Sequence, residues 1–148
     1  MRMNGEKLVH HTGDTIAEEA CTVESSYVEQ ALREYKEGVG AFEKDLPEIA
    51  RQYMKFTEAC FEEGELSVKN KHLIAVALGV MTNDEYCIIY HTKGALDQGA
   101  GEREVMEAAA VAGAFGGGLA MSQTVTLLRD VLEEFGGGGS PAGESIKH

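Results

Sequence analysis

Apolar positions recur at helical spacing along most of the chain. Tyr27, Val28, Ala31, Leu32 and Tyr35 fall on one face of a helix predicted over Ser25–Lys36. Gly38 and Gly40 weaken its end, although Val39 and Phe42 continue the stripe. Asp45 and Pro47 mark the next start, since proline is tolerated in a first turn. Ile49, Tyr53, Phe56, Cys60 and Phe61 carry that stripe to Glu63, and Gly64 stops it. Within it, Cys60 reads as a small buried apolar residue. Ser67 caps a third helix through Met81. After a polar first turn it is apolar on nearly every side, as suits a helix buried in a core or against a subunit.

Asn83 reads as the cap of the next helix, followed by two acids that suit the positive end of its dipole. Gly99 closes it in a left-handed conformation. The short break between these two helices favours antiparallel packing. Gly101 and Glu102 introduce an alanine-rich helix through Ala114, which Gly113 and Gly116–Gly118 interrupt. A last helix is predicted from Leu119 to Phe135. No β-hairpin signal appears, so the expected fold class is all-α. Residues 1–24 have no period and read as a loosely ordered N-terminal arm. Residues 136–148 read as a flexible glycine-rich tail, which leaves one domain over 25–135.

Composition narrows the setting. The 148 residues are 43% hydrophobic, enough for one domain with a single core. No run of some eighteen apolar residues occurs, so no membrane span is expected. Met1–Asp14 is polar and lacks the apolar centre of a signal peptide, which points to a cytoplasmic protein. The formal net charge of −12 disfavours nucleic acid and anionic membrane surfaces, but a local pocket can still hold a small anion. Cys21, Cys60 and Cys87 are too few and too scattered for a disulfide framework.

The candidate chemistry lies in the fourth helix. Asp84, Cys87 and His91 are three and then four residues apart, which puts them on one helix face. Cys87 sits in the first turn, where the helix dipole favours a thiolate, while Asp84 and Glu85 oppose a further anion. His91, one turn on, can take the thiol proton or stabilise the thiolate as imidazolium. Each residue also has an ordinary structural reading: a buried cysteine, a helix-end acid, a core histidine. Asp84, Cys87 and His91, with His72 from the preceding helix, also form a candidate transition-metal set. Asp-x-x-Cys-x-x-x-His is not an established structural zinc spacing. No other cofactor is expected.

The runs Lys69–Ala77, Tyr86–Ala100 and Glu104–Ala108 resemble the carboxymuconolactone decarboxylase family, and within it the alkylhydroperoxidase D (AhpD)-like branch. The most specific part is Cys87-x-x-x-His91 followed by Gly94-Ala95-x-x-x-Gly99-Ala100, and the likeness extends over residues 44–135. It implies an AhpD-like helical bundle that assembles as a homo-oligomer, a trimer or hexamer. It also implies a site of Cys-x-x-Cys-x-x-x-His with a glutamate on the preceding helix. Cys87 and His91 match the second cysteine and the histidine, whereas Asp84 stands at the first cysteine and His72 at the glutamate.

Asp84 cannot form the disulfide of a two-cysteine cycle. The resemblance therefore implies a one-cysteine peroxidase, an antioxidant oxidoreductase with peroxiredoxin activity, resolved by an external thiol reductant. Cys87 would be its nucleophile, His91 its base, and His72 with Asp84 its proton relay. The alternative is a decarboxylase acting on a small lactone, with His91 and His72 moving the proton. That enzyme needs cations for its carboxylates, and only Lys69, Lys71 and Lys93 are near in sequence. A third reading is a metal-binding or non-enzymatic member that keeps the fold without the cysteine pair.

Overall fold

A computed structural model describes residues 25–137, and all regular structure there is helical. The six helices are α1 (Tyr27–Asp45), α2 (Pro47–Phe61), α3 (Val68–Thr82), α4 (Glu85–Asp97), α5 (Glu102–Val125) and α6 (Leu127–Gly136). The all-α expectation holds. The predicted arm, with Cys21, and all of the glycine-rich tail beyond Gly137 lie outside the described residues. Gly136 itself belongs to α6 rather than to the tail.

Ser26 starts α1, its hydroxyl accepting the Glu29 N–H at 3.1 Å. The helix does not stop near Lys36. It runs through Gly38 and Gly40 to Asp45, and Leu46 breaks it at φ −136° and ψ 64°. Pro47 explains the break, because proline pushes the preceding residue out of helical conformation. The α2 stripe is largely uncovered: Tyr53 is 58% and Phe56 67% exposed, and only Ala50 of this helix is buried. Cys60 is exposed, against the expectation that it is buried. The stripe marks a face that wants cover: among the described residues α2 packs against α1 and α3, and its last residue, Phe61, stacks on His91 of α4.

Ser67 caps α3 by accepting the Asn70 N–H. Asn83 then ends α3 in the left-handed region, at φ 61° and ψ 35°. Asn83 is thus not the cap of the following helix; Asp84 is, its carboxylate accepting the Cys87 N–H at 3.1 Å. The chain reverses within two residues, and the first must adopt a conformation that asparagine tolerates better than most. The side-chain amide of Gln123 in α5 donates to the Asn83 side-chain oxygen and ties this corner to the core. Past α4, Gly99 has φ 81°, as expected.

α5 bends at Gly117, at φ 61° and ψ −142°, but continues to Val125 instead of restarting at Leu119. A second break, at Thr126, separates α5 from α6, so the single predicted last helix is two pieces. By length and composition α5 is apolar enough to cross a membrane. It lies along α3 and buries Val105, Ala109, Ala112, Ala120 and Thr124, while Val111, Phe115, Leu119 and Val125 stay exposed.

The main core joins Val76 and Val80 of α3, Ile88 and Ala95 of α4, Val105 and Ala109 of α5, and Leu128 of α6. A smaller cluster sets Val28, Ala31 and Leu32 of α1 against Ile89 and Val131. Two glycines bring α3 and α4 close. A Cβ on Gly79 would stand 3.1 Å from the Cys87 Cβ, and one on Gly94 would enter the His72 ring. Residue 79 faces 87 and 72 faces 94, so the two helices are antiparallel, as their short connection implied. One face stays apolar and open: Ile74, Leu78 and Met81 of α3 with Val111 and Phe115 of α5, the last 82% exposed.

Candidate functional site

The antiparallel hairpin of α3 and α4 brings two imidazoles together. His72, in the first turns of α3, is 3% exposed, and His91, in the middle of α4, is half-buried. Their Nδ1 atoms lie 3.1 Å apart, a hydrogen bond in which one ring donates and the other accepts. When both rings are neutral, the donor ring has a bare Nε2 and the acceptor ring carries its hydrogen on Nε2. A proton arriving at one Nε2 can therefore pass across the pair and leave from the other.

Aromatic rings hold the pair in place. Phe61, the last residue of α2, stacks on His91 with centroids 5.1 Å apart and planes 9° apart, and touches His72 at 4.9 Å. Tyr90 meets His91 edge-on at 5.2 Å. Gly94 leaves the space that the His72 ring occupies, since a Cβ there would lie 2.3 Å from His72 Cε1. Neither Phe61 nor Gly94 was marked as a site residue from sequence. Phe61 was legible only as the end of the α2 stripe, and Gly94 only as part of the Gly-Ala run after His91.

Cys87 is free, half-buried and in the first turn of α4. The contest foreseen there is won by the groups that oppose ionisation. Burial, then the hydrogen bond and negative charge of Asp84, push the thiol pKa up from 9.0 to about 11. Asp84 is exposed and serves as the cap of α4. The tyrosines beside this turn are affected too. Burial raises the pKa of Tyr35, with Tyr53, Cys87 and Asp84 adding to it, and burial raises that of Tyr90 to about 12.

The four residues singled out from sequence thus form two pairs, His72 with His91 and Cys87 with Asp84. Among the described residues, no group of three or more His, Cys, Asp or Glu side chains is arranged to hold a metal ion. Asp84 bonds to the backbone N–H of its own first turn, and the two imidazoles direct Nδ1 at each other, which draws donors away from a common centre. The three lysines are engaged elsewhere. Lys69 pairs with Glu104 at 2.8 Å, Lys93 with Asp97 at 2.9 Å, and Lys71 donates to the Glu62 carbonyl at 2.5 Å.

Fold and site define a small helical domain with an imidazole pair, one ring buried and one half-buried, across a tight helical hairpin and a half-buried thiol one turn away on the second helix. The chain belongs to the carboxymuconolactone decarboxylase family, whose profile matches residues 47–130; AhpD-like proteins are members of this family. It is 35% identical over 85 residues to uncharacterized protein 4 in the cox locus of Paracoccus denitrificans, covering 57% of this chain and 76% of that one. It is 31% identical over 87 residues to an uncharacterized protein of Cupriavidus necator, covering 59% and 77%. The crystal structure of an apo carboxymuconolactone decarboxylase family protein from Legionella pneumophila superposes with a TM-score of 0.71 at 27% identity, covering 75% of this chain and 98% of that one.

Proposed function

We propose that this family member is an enzyme of carboxymuconolactone decarboxylase type, in which His72 and His91 move a proton to or from a carbon acid. The observation that carries this reading is the 3.1 Å contact between the two Nδ1 atoms, in a site with a 3%-exposed imidazole and an aromatic ring stacked above. Acid–base catalysis needs a group that titrates near neutral pH, and imidazole is that group. His91, the more open ring, faces the substrate, and His72 receives or returns the proton behind it. With Lys69 and Lys93 neutralised by acids, the substrate is a small lactone or related carbonyl compound that does not carry a pair of carboxylates.

The thiol peroxidase reading rests on the free Cys87 one turn from His91 and on the likeness to AhpD-like proteins. It requires a thiolate. With a pKa of about 11, about one thiol in ten thousand is ionised at pH 7, so that reading needs substrate or His91 to remove the proton during the reaction.

We assign the open apolar face of α3 and α5 to contact with further copies of the chain, in a reducing, cytoplasmic setting. A panel of lactones and a peroxide assay with a thiol reductant test the enzyme reading. Turnover of a lactone that is lost in His91→Ala and kept in Cys87→Ser supports proton transfer by the pair. Lactone turnover unaffected by His91→Ala, or peroxide turnover lost in Cys87→Ser, overturns it.

A further inference from the structure

Away from the imidazole pair, α1, α2 and the first turn of α4 enclose a pocket of about 360 Å³, within the usual range for small-molecule sites. Four aromatic rings line it: Tyr35 and Phe42 from α1, Tyr53 from α2 and Tyr86 from α4. Tyr35 and Tyr86 are stacked, with centroids 6.0 Å apart. The carboxylates that line it are Glu34 and Glu43, and no lysine, arginine or histidine among the described residues does. Neither carboxylate is paired with a lysine or arginine among the described residues; Glu34 only accepts from the Gln30 amide.

We infer that this pocket binds a small organic cation, a molecule with an apolar or aromatic body and a quaternary or tertiary ammonium head. The face of an aromatic ring carries negative potential and attracts a cation within about 6 Å of its centre. Several rings around an ammonium replace the water it gives up without demanding directional hydrogen bonds. Glu34 and Glu43, both exposed, add a solvent-screened attraction and disfavour a carboxylate ligand. The overall charge of −12 acts in the same direction. None of His72, Cys87 and His91 lines the pocket, so the inference stands apart from the proposed catalytic reading.

Titration calorimetry of the full chain with benzyltrimethylammonium and with phenylacetate tests it. Both have an aromatic body, and their heads differ in sign. Saturable one-to-one binding of benzyltrimethylammonium is expected, at least tenfold tighter than any binding of phenylacetate. Tyr53 is exposed, so Tyr53→Ala leaves the fold intact and weakens binding about threefold to thirtyfold, while Tyr53→Phe keeps the ring and the affinity. Glu43 is exposed, so Glu43→Gln weakens it less, by up to about fivefold. Phenylacetate binding as tightly as the cation, or affinity for the cation unchanged in Tyr53→Ala, overturns the inference.

Discussion

Replacing Gly94 by alanine should destabilise the protein, and removing the His72 ring should reverse the sign. The added Cβ would stand 2.3, 2.5 and 2.9 Å from His72 Cε1, Nδ1 and Nε2. Ordinary contact needs about 3.5 Å, so the ring must move by about 1 Å. It is confined by Phe61 and His91, and a shift of that size lengthens the 3.1 Å bond beyond hydrogen-bonding range. Overpacking costs about 1–3 kcal/mol and the lost hydrogen bond about 1 kcal/mol. Alanine in a helix interior returns about 1 kcal/mol over glycine. The net is a loss of about 1–3 kcal/mol.

In a His72→Ala background the space is empty and only the helix preference remains. Gly94→Ala should then stabilise, by up to about 1 kcal/mol. Urea unfolding of the four proteins at one fixed protomer concentration measures the coupling. Equal destabilisation by Gly94→Ala in both backgrounds would mean that the methyl group meets backbone, and the account of how His72 is seated would be wrong.

Other outcomes follow from the geometry. With Cys21 and Cys60 changed to serine, alkylation of Cys87 should be slow at pH 7 and rise about tenfold per pH unit towards pH 11. Asp84→Asn keeps a capping side chain but removes the charge that raises the pKa, so it should speed alkylation several-fold at pH 8; an unchanged rate would exclude Asp84 as a cause. The folded state holds the Cys87 proton more tightly than an ordinary thiol does, so this group's contribution to stability is present below pH 9 and is lost as pH rises from 9 to about 11. On the proposed contact between copies, Phe115→Asp should lower the mass seen in light scattering, and an unchanged mass would remove the α3–α5 face as the interface. The Thr92 hydroxyl is fully buried and has no partner among the described residues. Thr92→Val should therefore be neutral or stabilising by about 1 kcal/mol in urea unfolding, and a comparable loss would reveal a partner.

What could be read in advance was local. The periodicity placed α3 and α4 to within a residue or two, because capping, apolar spacing and the closing residues all agreed there. Gly38 and Gly40 misled because glycine only weakens a helix by about 1 kcal/mol, whereas the proline at 47 forbids its continuation. Asn83 and Asp84 both suit a cap, and only the need to turn left-handed decides which residue ends one helix and which starts the next. Cys60 shows the limit of a stripe, which identifies a face but not what lies opposite. At the site, the shared face of Asp84, Cys87 and His91 was legible from spacing alone. The partnership of His91 with His72 was not, since it depends on the register between two helices and on the room beside Gly94.

That register has a simple mechanical origin. Only Asn83 and Asp84 join α3 to α4, one in a fixed left-handed conformation and the other bonded to the turn that follows. Such a joint has no slack. One inserted residue would rotate the second helix by about 100° about its own axis and carry His91 out of reach of its neighbour. The length of this elbow should therefore resist insertion more strongly than the identity of most core residues resists substitution. Lengthening it by a single glycine offers a way to separate the two rings while leaving every other side chain of the protein unchanged.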